Sequence, residues 1–164
     1  MALLLILSLC ACAADGGSDN DGDGDGQQQP SAKDYYITYN NVKIEIGAEA
    51  KALIEKLGSY SAEEGEACPG GIDTDIYTFS GIEIMVYKDS AKNTETVGKI
   101  SILDDSVATP ENITIGSTED DVISAYGKSY KKGTTGALCY EGKNSNIEFH
   151  FSNAKVSNIY VKTK

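Results

Sequence analysis

The residues able to do chemistry are few. His150 is the single imidazole, and Cys68 and Cys139 are the two thiols outside the N-terminal segment. A nucleophilic site would pair one of those thiols with His150, because a thiolate needs a nearby base or positive charge to form at neutral pH. The local pattern points elsewhere. Ile147, Phe149 and Phe151 alternate with Glu148 and His150, the period of a strand with one buried and one wet face, so His150 is expected exposed beside Glu148. A second candidate is Asp19, Asp21 and Asp23 followed by Gly24, which match the opening of an EF-hand loop. That loop requires a bidentate Glu at its twelfth position, which here is Pro30, or Ala32 if the frame starts at Asp21. One His excludes a multi-His metal site, and the absence of Arg removes the usual bidentate clamp for phosphate or carboxylate. With 14 Lys against 25 Asp and Glu, the net charge of -11 argues against nucleic-acid binding. No catalytic set, metal or cofactor is expected.

The first 33 residues read as targeting and tether. Leu3 to Leu9 form a short apolar run, too short to span a bilayer, which takes about 20 residues as a helix. The run fits the apolar stretch of a secretory signal. Leu9-Cys10-Ala11-Cys12 resembles a bacterial lipobox, which implies removal of residues 1–11 and diacylglyceryl modification of Cys12. Cys10 is the competing site, disfavoured by bulky Leu9 at the cleavage position, and Met1-Ala2 lacks the usual basic residue. Residues 15–31 carry five Asp and no apolar side chain except the Pro30 ring, so residues 12–33 are expected to form a solvated acidic tether. From Asp34 onward, 20 acids face 13 Lys, so the domain is less acidic than the whole chain.

Residues 34–164 are expected to form one globular domain of two repeats, about 34–106 and 107–164. Ile44-Glu45-Ile46-Gly47, then Leu53, Ile54, Leu57 and Gly58, match Ile113-Thr114-Ile115-Gly116, then Val122, Ile123, Tyr126 and Gly127, at one constant offset. Ala50, Leu53, Ile54 and Leu57 fall at helical spacing, and Gly58 and Gly127 are placed to stop two helices. Ser117 is a candidate N-cap for the second, with Glu119, Asp120 and Asp121 in its first turn. Strands are expected at 76–79, 82–87 and 97–103, then at 137–140, 146–151 and 156–161. Ser80-Gly81, 141–145 and Ser152-Asn153-Ala154 supply hairpin chemistry, and Pro110 marks the junction. The fold class expected is therefore α+β: two tandem helix-plus-three-stranded-meander repeats forming an antiparallel sheet, with helices packed on one face.

The Ile-x-Ile-Gly opening and Gly closing of each unit resemble the β-lactamase-inhibitor-protein-like fold. The stretch Thr109 to Ser117 and on to Tyr126-Gly127 is similar to small lipoproteins of low-GC Gram-positive bacteria. Outer-membrane assembly lipoproteins of the SmpA/OmlA type have a related single unit. The resemblance implies a concave sheet face with helices behind it.

In an exported protein, Cys68 and Cys139 suggest a possible disulfide stapling the two halves, with two separate thiols as the alternative. Closing a loop of about 70 residues would contribute about 3–4 kcal/mol. Of ten Tyr, Tyr35, Tyr36, Tyr39, Tyr77, Tyr87, Tyr140 and Tyr160 lie in or near strand-like runs, as sheet packing or a binding face. The functional expectation is a non-enzymatic binding or scaffold lipoprotein on the extracytoplasmic face of the cell membrane. Its partners would be the membrane, through the lipid, and an envelope protein or cell-wall component. An inhibitor of a secreted or envelope hydrolase is the alternative, and a small Cys/His or carboxylate hydrolase is the enzymatic one.

Overall fold

The computed structural model describes residues 33–65, 72–133 and 135–164. A hairpin comes first: β1 (Tyr36–Tyr39) pairs with β2 (Val42–Glu45) across Asn40 and Asn41, both at positive φ (49° and 61°). Asn tolerates that conformation and is favoured in two-residue hairpin turns. Helix α1 (Lys51–Leu57) leads to β3 (Ser61–Glu64), β4 (Ile72–Phe79), β5 (Ile82–Asp89) and β6 (Thr94–Ile102). Helix α2 (Glu119–Tyr126) leads to β7 (Lys131–Lys132), β8 (Leu138–Glu141), β9 (Ser145–Ser152) and β10 (Lys155–Thr163). These last eight strands form one antiparallel sheet in the order β3-β4-β5-β6-β10-β9-β8-β7.

This corrects the expected α+β architecture. Among the described residues the protein is mostly β, 49% strand against 12% helix, and a single eight-stranded sheet replaces two helix-plus-three-stranded-meander repeats with helices on one face. The physical reason is that β3 and β7 add edge strands with little strand propensity of their own. Their exposed SAEE and KK stretches are held through the backbones of β4 and β8. The cover over the core is also different, because the β1–β2 hairpin shares it with the helices: Ile37 and Ile44 join Ile54, Leu57 and Val122 in one apolar cluster.

The helix signals act where the spacing placed them. Ile54 and Leu57 of α1 and Val122 of α2 are buried. Gly47 N–H donates to Val97 O and Gly116 N–H donates to Val156 O, both at 2.8 Å, so the two matched glycines dock on the two central strands alike. The N-cap of α2 is Thr118 rather than Ser117: Thr118 Oγ1 accepts from Asp121 N–H while the Asp121 carboxylate accepts from Thr118 N–H. In α1 the Glu49 carboxylate accepts from Lys51 and Ala52 N–H at 3.1 and 3.3 Å.

The sheet has one buried and one open face. Ile82, Ile84, Val86, Ile100, Ile102, Leu138, Tyr140, Ile147, Phe149, Ile159 and Val161 point into the core. Residues between them, including Met85, Lys99, Cys139, Glu148, His150, Tyr160 and Lys162, are half-buried on the other face.

Candidate functional site

The site is the open face of β6, β10, β9 and β8. Strand alternation and register bring its side chains together. Across β9 and β10, Glu148 stands opposite Tyr160 and His150 opposite Asn158. Cys139 on β8 stands opposite Glu148, and Tyr160 and Lys162 stand opposite Ser101 and Lys99 on β6. Two lysines facing each other directly would repel, and each turns to a separate partner. Lys162 Nζ reaches Glu148 Oε1 at 2.9 Å, and Lys99 Nζ lies 4.2 Å from the Tyr160 ring centre. His150 closes the group edge-on to Tyr160, ring centres 5.2 Å apart. At the outer end Lys131 pairs with Glu141 at 2.7 Å.

Electrostatics define what this arrangement does. Burial pushes the Glu148 carboxyl upward, but Lys162 and His150 together overcome it and hold its pKa below the ordinary value. His150 Nε2 is 3.6 Å from Glu148 Oε2, beyond hydrogen-bond reach, and is a buried atom without a hydrogen-bond partner, as is Asn146 Oδ1. Burial, with the Glu148 charge added, pushes the Cys139 thiol up to about 11. A nucleophilic cysteine needs the reverse. Glu148, rather than His150, is the residue facing Cys139.

Beneath this face the structure is rigid and aromatic. Phe149 meets Tyr126 and Tyr140 at centre distances of 4.9 and 6.0 Å. Tyr126 donates from its hydroxyl to Glu111 Oε2 at 2.6 Å, and Tyr140 donates to Gly127 O at 2.9 Å. Glu111 sits on the Pro110 turn, where Asn112 and Ile113 N–H donate back to Thr109, and its carboxylate also pairs with Lys33.

The sequence-derived candidates distribute as follows. His150 and Cys139 share the open face, His150 beside Glu148 as the alternation implies. Cys68, Cys10 and Cys12, and with them the disulfide and the lipidation site, lie outside the described residues. Among the described residues no group of three or more His, Cys, Asp or Glu converges as a metal site. Of the tyrosines, Tyr35 and Tyr140 are buried, whereas Tyr160 belongs to the open face. Sequence reasoning missed Lys99, Lys162 and Asn146. Their signal was the i, i+2 alternation around His150 and Tyr160, although the pairing of β10 with β6 is non-local.

No protein-family model and no curated protein matches the chain. A solved structure similar to it is the uncharacterized protein yfeY from Escherichia coli, at 13% identity and a TM-score of 0.46, covering 82% of this chain and 99% of that one. At that level the likeness carries no functional transfer.

Proposed function

We propose that the chain is a lipid-anchored, non-enzymatic binding protein of the bacterial envelope. In this reading a lipid on Cys12 holds it to the outer face of the cell membrane, and the open sheet face meets an envelope protein or a cell-wall component. The observation that carries the proposal is the Lys99–Tyr160–His150–Glu148–Lys162 group, an aromatic ring with Lys99 over it and His150 at its edge, beside the Glu148–Lys162 ion pair, on a sheet face that no helix or strand covers among the described residues. Aromatic anchors with charged neighbours are what protein contact sites use. The protonated state of Cys139 at neutral pH favours binding over nucleophilic chemistry. The lipobox-like Leu9 to Cys12 supports the location.

Two measurements test this. Mass spectrometry of the mature protein should find a diacylglyceryl group on Cys12, and an unmodified Ala13 start would end the anchoring proposal. A photo-reactive residue at position 160 in intact cells should form one dominant adduct that a second change, Lys99→Ala, reduces. Equal capture from an exposed control position such as Lys155 would count against the open face as the binding surface.

A further inference from the structure

We infer that the two edges of the sheet are complementary, and that a second copy of this chain docks edge to edge, β3 of one copy against β7 of the next. β3 and β7 end the strand order, and among the described residues no strand pairs with their outer sides. In an antiparallel pair alternate residues exchange both main-chain bonds, and the residues between them turn theirs outward. Gly65 N–H bonds Thr74 O at 2.8 Å, in step with the Glu63↔Ile76 register, so Ala62 and Glu64 turn their N–H and C=O away from β4. Gly133 N–H bonds Ala137 O at 2.8 Å, in step with Lys131↔Cys139, so Lys132 turns outward, and the same alternation extended one residue ahead of β7 sets Tyr130 outward.

Direction, backbone and side chains agree on one register. Every neighbouring pair in the eight-stranded sheet is antiparallel, so β3 and β7 run in opposite senses. A second copy added along the sheet, turned to follow the strand twist, then presents its β3 antiparallel to β7, with the two open faces continuous. Setting Ala62 against Lys132 and Glu64 against Tyr130 matches outward groups with outward groups, giving about four main-chain bonds. The same register places Glu63 directly opposite Lys131 on the open face, and Glu64 diagonal to Lys132 on the other. All six strand residues of these two edges are exposed. Lys131 Nζ, 2.7 Å from Glu141 Oε1, has further N–H donors for a second carboxylate.

The alternatives are disfavoured by charge. β3 against β3 sets acids against acids, and β7 against β7 sets lysines against lysines. The contact is therefore head-to-tail, and each added copy presents a fresh edge, so association proceeds to open chains or rings. A short ionic contact makes it weak, sensitive to salt, and favoured where copies are concentrated on a surface.

The test uses the full chain with its four native cysteines replaced by Ser, carrying Glu63→Cys and Lys131→Cys together. The two positions lie at opposite edges, roughly 34 Å apart at seven strand spacings, so they cannot join within one copy. Mild oxidation should give a ladder of dimers, trimers and larger species, whereas either single cysteine, which could join only β3 to β3 or β7 to β7, should stay monomeric. Single variants that dimerise as readily as the double variant extends, or a double variant that stays monomeric, would overturn the inference. By sedimentation, Glu63→Lys or Lys131→Glu alone should weaken association roughly two- to fivefold, and the pair together should restore it. A mass distribution indifferent to all three variants would overturn it equally.

Discussion

The two halves of the sheet differ on both faces, although β4 adds Phe79, in contact with Tyr39 and Tyr60, to the core of the first half. Under β8, β9 and β10 the core is aromatic, with Tyr35, Tyr126, Tyr140 and Phe149 in mutual contact and two hydroxyls bonded to fixed acceptors. Under β5 and β6 it is aliphatic, with Ile82, Ile84, Val86 and Ile100 in the same cluster as Ile54 and Leu57. On the open face the β9–β10 side carries ion pairs, whereas β4 and β5 carry Ile76, Met85 and Tyr87 beside Glu83, which accepts from Ser101 Oγ at 3.4 Å; the Tyr87 ring fills the space a side chain at Gly98 would need. Directional aromatic packing with tied hydroxyls fixes the strands beneath the charged group. A charged face gains most from such a base, because ions held in place lose less on binding.

The largest expected effect probes that base. Phe149→Ala should cost about 3–5 kcal/mol in urea unfolding, and Ile84→Ala should fall below it within the range of about 2–5 kcal/mol for such truncations. If Ile84→Ala costs more, the aromatic half is not the stiffer one. The helices repeat the contrast on a smaller scale. Thr118→Ala removes a reciprocal capping box and should cost about 1 kcal/mol, while Glu49→Ala should cost a few tenths, about 0.3 kcal/mol. Equal losses would erase the difference between the two caps.

The smallest effect depends on pH. Burial pushes the Glu111 carboxyl up, but Lys33 and the Tyr126 hydroxyl hold it below the ordinary value of 4.5. With the folded value below the unfolded one, its stabilisation is complete above that range and is lost as pH falls through the folded value. Glu111→Gln should therefore be less stable than the parent at neutral pH, and the gap should close as acid carries the pH down through the lowered folded value. A gap that persists in acid would assign the effect to packing.

The parts of the fold legible in sequence were those with strong local signals. Ala50 to Gly58 and Thr118 to Gly127 carried helical spacing and stop residues, and the long strands carried alternation. The β1–β2 hairpin left one signal, Asn40-Asn41, but strands of four residues each offer too little alternation to read from sequence. β3 and β7 left no such trace: Ser61 to Glu64 and Lys131-Lys132 are strands only because a neighbour's backbone offers bonds. The site was half legible. His150 and Glu148 could be put on one face from spacing alone, but Lys99 reaches Tyr160 through the central β6–β10 pairing, which joins the two halves of the chain.

The entry strand of the domain has a mechanical consequence. Asp34 accepts from Asn144 N–H and Ser145 N–H, Tyr35 N–H donates to Ser145 Oγ, and Lys33 pairs with Glu111. Lys164 N–H reaches Asn144 O at the same turn. A pull along the chain ahead of Lys33 meets this knot first and must undo it before any tension reaches β1. Asn144 and Ser145 carry that load into the turn between β8 and β9, so the knot works as a fuse: its few polar bonds yield before the ladder of the eight-stranded sheet behind them.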